Sequence, residues 1–202
     1  IRGDVGEETD FEIPVPRHEL FPLSRYRLPF GRRRLFASTF STYGCPYKCR
    51  FCNTGALGFK RRGVDNFIEE LGYIRGMGID KVFIRDPTFG ADREHAQEVC
   101  AKIIENNIEI QWNCYSRADV VTEDLLGLMR EAGCYLISFG VESGNEKILE
   151  RYNKRIAIEK TRKVFELCRK YKMETVAHFI LGLPGEDRRS ILHTLALAKG
   201  LD

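Results

Sequence analysis

The run Cys45-Pro-Tyr-Lys-Cys49-Arg-Phe-Cys52 puts thiols at C-x3-C-x2-C spacing on one short stretch. A loop of that length can fold three thiolates around one inorganic centre. An iron–sulfur cube has four irons, each taking a thiolate from the protein. Three cysteines leave one iron without a protein ligand. An open metal position is where outside molecules bind and react, as at catalytic zinc sites. The spacing therefore predicts a reactive cluster and not a sealed structural one. It also admits a passive metal module, in which three thiolates and an outside ligand hold zinc or an electron-carrying cluster.

Composition narrows the setting. Seven cysteines is an odd number, and the clustering of three is metal-site usage, so a reducing cytoplasm is expected. Cys100 shares a helical face with Ala96, Val99 and Ile103, and Cys168 with Val164, Phe165 and Tyr171. These two read as buried small hydrophobes, and Cys114 and Cys134 fall in or beside strands. The chain of 202 residues is long enough for one sizeable core, and 43% hydrophobic against 30% charged residues is a soluble, globular balance. No apolar run approaches the ~18 residues of a membrane helix. A net charge of +3 is too small to argue for nucleic acid by itself. The opening Ile1-Arg-Gly-Asp lacks an initiator Met and a signal peptide, so a cut inside a longer protein is expected.

The elements that must position the thiols follow an alternating pattern. Residues 1–34 are rich in proline, arginine and acidic residues and read as an extended linker docked on something else. Leu35 to Tyr43 reads as a strand feeding the cysteine loop. Asp65 is a candidate N-cap for a helix carrying Val64, Phe67, Ile68, Leu71 and Ile74. Further strands are expected at 81–85, 108–115, 136–139 and 175–181. Helices are expected at 92–106, 122–132, 158–172 and 190–199, with Gly133 as a C′ residue. Strands alternating with helices argue for a parallel sheet with right-handed crossovers, wrapped into a partial TIM barrel of five to six units. A flat doubly wound sheet is the alternative, weakened because no G-x-G-x-x-G follows the first strand.

In such folds function sits at the carboxyl ends of the strands. Here the first strand runs into the cysteines and the second into Arg85-Asp86-Pro87-Thr88. The third ends at Ser116-Arg117-Ala118-Asp119, the fourth at Gly140-Val-Glu142-Ser-Gly144 and the fifth at Gly182-Leu-Pro-Gly185-Glu186. One polar strand end would be a cap. Five on one rim are better read as a site.

With these residues in place, the chain resembles a radical S-adenosylmethionine (SAM) enzyme core. The C-x3-C-x2-C run with Phe51 before its last cysteine matches that signature, and the likeness covers residues 35–202. It implies five units of a six-unit α/β partial barrel, with the sixth beyond Asp202. Within the family the chain is similar to the cobalamin-dependent group, which includes anaerobic magnesium-protoporphyrin ester cyclases. Phe11 to Leu28 looks like that group's connector from an N-terminal domain, and Phe-Gly-Val-Glu-Ser-Gly and Leu-Gly-Leu-Pro-Gly-Glu fit the same group.

The resemblance implies that Cys45, Cys49 and Cys52 hold a 4Fe-4S cluster. SAM would bind the open iron and be cleaved to a 5′-deoxyadenosyl radical, with cobalamin in the full-length protein, for methyl transfer or oxidative cyclisation of a small molecule. A reductant such as flavodoxin or ferredoxin would be a partner. Phe51 would lie near the adenine. Asp86 would accept from the SAM amino group, although this chain has Asp-Pro-Thr where the family has Gly-Gly-Glu. Glu142 would contact SAM and Lys154 its carboxylate. His178 stands where the family often has an acid touching the ribose. The Gly182 to Glu186 turn would let backbone approach the adenine. Arg117 would serve the SAM carboxylate or a substrate anion. Ordinary readings compete: an ion pair for Glu142 and Lys154, a helix cap for Asp86, a turn residue for Arg117, a core histidine for His178. A methylthiolating enzyme acting on RNA or protein is another alternative, with Arg32-Arg-Arg34 and Lys60-Arg-Arg62 as phosphate contacts. Basic triplets are more often solvated surface, which argues against nucleic acid.

Overall fold

Val82, Ile84, Trp112, Cys114, Ile137 and Phe139 recur at every second position of short apolar runs, and all are almost fully buried. That period is what one face of a pleated strand requires. The computed structural model describes residues 10–26 and 35–201. In chain order it contains β1 (Asp10–Phe11), β2 (Ala37–Thr39), β3 (Thr42–Gly44), β4 (Phe59–Arg62), α1 (Val64–Gly76), β5 (Lys81–Ile84) and α2 (Arg93–Glu105). There follow β6 (Gln111–Ser116), α3 (Glu123–Glu131), β7 (Cys134–Glu142), α4 (Glu146–Arg151), α5 (Ile158–Lys170), β8 (Glu174–Phe179) and α6 (Arg188–Lys199).

The main sheet is parallel, with strand order β2-β5-β6-β7-β8. Each of its successive strands is joined through at least one helix, as parallel pairing demands. Leu71 and Ile74 of α1, Val99 and Ile103 of α2, Leu125 and Met129 of α3, and Val164 and Phe165 of α5 close the core over the outer face. The barrel is open, with β2 and β8 as the edges of this sheet among the described residues.

Several expectations change in detail. The stretch from Leu35 to Tyr43 is not one strand. It breaks at Phe40–Ser41, and its second half, β3, joins a small sheet of order β1-β4-β3. There β3 pairs antiparallel to β4, with Thr42 opposite Arg61. Asp65 does not cap α1: Gly63 holds the N-cap position and Asp65 lies in the first turn. Its carboxylate suits the positive helix end without capping it. Gly133 does follow α3, with φ +91°, and a Cβ there would meet the Ile110 carbonyl oxygen at 2.1 Å.

The described part of the N-terminal segment is docked. β1 pairs with β4, Asn66 donates to the Ile13 carbonyl at 2.9 Å, and His18 meets Glu70 at 2.7 Å. Arg32-Arg-Arg34 lies outside the described residues. Lys60-Arg-Arg62 is not a free phosphate patch. Arg62 is fully buried and paired with Glu70, while Arg61 bonds Asp10 and Asp92. No described helix is long and apolar enough to cross a membrane.

Candidate active site

Two glycines shape the cysteine loop. Gly44 has φ +74°, and a Cβ there would overlap the Gly58 carbonyl oxygen at 1.8 Å. That closeness lets the Cys45 N–H donate to the same oxygen at 3.0 Å. At Gly55, a Cβ would stand 2.3 Å from the Tyr47 carbonyl oxygen. The middle of the loop is fastened to the end of α4. Asn153 donates to the Lys48 carbonyl at 2.8 Å, and the Arg50 N–H donates to the Tyr152 carbonyl at 2.9 Å. The motif is thus held by β3, β4 and a segment a hundred residues away in sequence, as the Asn153–Lys48 separation of 105 shows.

A cavity of about 300 Å³ opens above the carboxyl ends of the main sheet. Cys45, Cys49 and Cys52 stand in its wall, with Cys49 buried and Cys52 exposed. Phe51 lines it, with its ring 6.3 Å from that of Tyr152. His178 lines it from the edge strand β8, with its ring 6.0 Å from Tyr115. It is an exposed group on a half-open strand and not a core histidine.

Glu142 and Lys154 also line the cavity and bond each other, with Nζ 3.1 Å from Oε1. Both are buried, at 8% and 6% exposure, so the pair has given up most of its hydration. Glu142 has φ +67°, in a region that a side chain seldom occupies, and the β7–β8 register shifts between Gly140 and Glu142. Strain of this kind persists only where surrounding structure enforces it, and it gathers at working sites. Gly140 makes room for the pair. A Cβ there would stand 2.4 Å from the Glu142 Oε1 and 2.9 Å from the Lys154 Nζ.

Arg117 lines the cavity but is not free for an anion. Nε and Nη2 donate to the two Asp119 carboxylate oxygens at 2.9 and 2.8 Å. Nη2 also donates to the Lys154 carbonyl at 3.0 Å, and Nη1 to the Cys49 sulfur at 3.5 Å. The guanidinium lies over the Tyr47 ring, 3.8 Å from its centroid.

Asp86 departs from expectation. It is fully buried and absent from the cavity wall. Its Oδ1 accepts from the backbone N–H groups of Ser41 and Thr42 at 2.7 and 3.0 Å, and its Oδ2 accepts from the Ser41 hydroxyl at 2.6 Å. It ties the break between β2 and β3 to the end of β5. From the same strand end Pro87 and Thr88 line the site, with Thr88 Oγ1 3.6 Å from the Cys45 sulfur. The Gly182–Glu186 turn does not line the cavity either. Glu186 closes it, accepting from the N–H groups of Gly182 and Leu183 at 2.7 and 2.9 Å. Sequence reasoning did not single out Tyr47, Tyr115 or Ser138, which also form the wall. Alternation along β6 and β7 was the signal for the last two.

The thiols have the chemistry for a cluster. Thiolates suit iron–sulfur centres. The Thr54 N–H donates to the Cys52 sulfur at 3.4 Å, and Arg117 donates to the Cys49 sulfur at 3.5 Å. Burial pushes the Cys49 thiol up, opposed by the charges of Lys154 and Arg117. Among the described residues no three His, Cys, Asp or Glu side chains gather closely enough for a single metal ion.

The sequence of residues 39–198 matches the family model described as the radical SAM superfamily. An uncharacterised methyltransferase of Pyrococcus horikoshii is 31% identical over 198 residues, covering 95% of this chain and 42% of that protein. The anaerobic magnesium-protoporphyrin IX monomethyl ester cyclase of Rubrivivax gelatinosus is 26% identical, covering 77% of this chain and 29% of that protein. Among solved structures, the radical SAM methyltransferase TsrM of Kitasatospora setae, with cobalamin and a 4Fe-4S cluster bound, superposes with a TM-score of 0.78. It is 20% identical, over 84% of this chain and 33% of that one, so the likeness is one of fold. The chain spans less than half the length of these relatives.

Proposed function

Because the chain belongs to the radical SAM superfamily, we propose that it holds a 4Fe-4S cluster on Cys45, Cys49 and Cys52 and binds SAM in the adjoining cavity. The observation that carries this reading is the meeting, in one cavity, of the three thiols with the strained, buried Glu142–Lys154 pair. The chemistry such a cluster supplies when bound is one-electron reduction of SAM, which breaks a carbon–sulfur bond to give methionine and a 5′-deoxyadenosyl radical.

The chain's own residues bind and orient. Lys154 offers an ammonium to the SAM carboxylate, and Glu142 accepts from the SAM amino group. Each already has a partner, so SAM joins a network and does not meet bare buried charges. Phe51 provides an apolar wall for the adenine, and His178 a ring nitrogen for the ribose hydroxyls. Tyr47 and Tyr115 exclude water from the remaining wall. A small-molecule substrate, cobalamin and a reductant such as flavodoxin or ferredoxin complete the working protein. The methyltransferase and cyclase relatives support methyl transfer or ring closure as the outcome.

The test is anaerobic reconstitution with iron and sulfide, then electron paramagnetic resonance of the reduced protein with and without SAM. A four-iron signal that changes on adding SAM is expected. Zinc uptake in place of iron, or a signal indifferent to SAM, would overturn the proposal. Gly140→Ala provides a finer check. Only side-chain ends must give way, so the fold survives, but the Glu142–Lys154 pair is displaced. SAM affinity should fall about tenfold, or ~1.4 kcal/mol, in a titration of that signal. An unchanged affinity would remove the pair from SAM binding.

A further inference from the structure

We infer that Arg117 sets the reduction potential of the cluster, through the N–H···S bond from its Nη1 to the Cys49 sulfur. The inference rests on the cluster reading above. Cluster potentials depend on net charge, on hydrogen bonds to the sulfurs and on exposure to solvent. Arg117 bears on all three. Its guanidinium brings a positive charge to a buried sulfur. Its own exposure is only 5%, so water screens that charge weakly.

The aim of the donor is fixed. Asp119 takes Nε and Nη2 as a fork, the Lys154 carbonyl takes Nη2 again, and the Tyr47 ring covers the face. These contacts leave Nη1 directed at sulfur. A planar, five-donor group can satisfy this set, whereas lysine cannot. An arginine meant for a passing anion would keep its fork open, and this one has closed it on Asp119. Reduction adds negative charge to the cluster and its thiolates. A fixed N–H donor on one thiolate favours the reduced form and raises the potential. Arg117 is therefore a positioning and tuning residue and not a contact to SAM.

The test compares wild type with Arg117→Gln and Arg117→Lys after reconstitution, reading iron content and the midpoint of an electron paramagnetic resonance-monitored redox titration. At full iron loading, Arg117→Gln should lower the reduced-to-oxidised ratio at a given potential about tenfold, which is about 59 mV for one electron. Arg117→Lys, which keeps charge but not the fork, should fall between the two. A fully loaded Gln variant with the wild-type midpoint would overturn the inference and leave the cluster reading standing. If Arg117→Gln does not load, the wild-type protein decides. With guanidino-15N-labelled arginine, the pulsed spectrum of the reduced cluster should show a 15N coupling, and its absence overturns the inference. A wild-type protein that takes up no four-iron cluster would overturn the reading itself and this inference with it.

Discussion

Cys49→Ala is expected to abolish the iron–sulfur absorbance and SAM cleavage together, and Cys45→Ala and Cys52→Ala to do the same. Each thiolate in the three-cysteine loop is the only protein ligand proposed for its iron. Removing one opens a second iron, and the cluster loses the chelate that holds it. Cys100→Ala is expected to leave absorbance and cleavage intact and to cost about 1 kcal/mol of packing. The contrast has a structural cause. Cys100 and Cys168 are fully buried among apolar side chains. Burial pushes the Cys100 thiol far up and the Cys168 thiol to about 12, which favours the neutral form, and neither stands in the cavity wall. Cys49 is also buried, but Lys154 and Arg117 stand beside its sulfur and pull against that shift. Iron and sulfide analysis of the purified variants, with the visible spectrum, checks the whole set. A Cys100→Ala protein that loses its cluster would defeat the three-thiolate assignment.

The alternating order of strands and helices was legible in the sequence because each element carries its own period. Phe67, Leu71 and Ile74 repeat at helical spacing, and Val82 with Ile84 at strand spacing, whatever the rest of the chain does. The carboxyl-end rule then placed Cys45 and Glu142 on one rim before any contact was known, while His178 entered only through the family resemblance. The rule names the rim but not the direction of a side chain. Arg85 to Thr88 were all candidates, and they lie past the end of β5, where strand alternation no longer applies; the turn that seats Asp86 on Ser41 and Thr42 leaves Pro87 and Thr88 on the site. Long-range pairing was equally hidden. Arg117 meets Cys49 across 68 residues, and Asn153 meets Lys48 across 105. No local period records such partners. The short helix α4 was missed as well. Asn145 caps it, its side chain accepting from the Lys147 and Ile148 N–H groups, but six residues are too few for an apolar stripe to show.

Asp86→Ala is the largest stability loss expected outside the cluster ligands, while Asp86→Asn should be nearly neutral. The alanine leaves the Ser41 and Thr42 N–H groups and the Ser41 hydroxyl without their acceptor in a site closed to water. At about 1 kcal/mol or more for each orphaned group, the loss is about 3 kcal/mol. Because the turn at Ser41 aims β3 into the cysteine loop, the alanine variant should also bind iron poorly. The asparagine fits the same hydrogen bonds. Its carbonyl oxygen can accept from both N–H groups, and its NH2 can donate to the Ser41 oxygen. The wild-type carboxyl carries a cost that asparagine lacks. Burial raises its pKa above the ordinary 3.8, against the opposing pull of Ser41 and Thr42. The folded state therefore holds the proton more tightly than the unfolded state. This contribution to stability is fully present below pH 3.8 and is lost as pH rises through the higher folded value. Urea unfolding across that range should show wild type losing stability relative to Asp86→Asn as pH rises. Reconstituted Asp86→Asn should bind SAM as wild type does. A large loss of SAM affinity in a stable, fully loaded Asp86→Asn protein would return the carboxylate to the cofactor and refute its assignment to the turn.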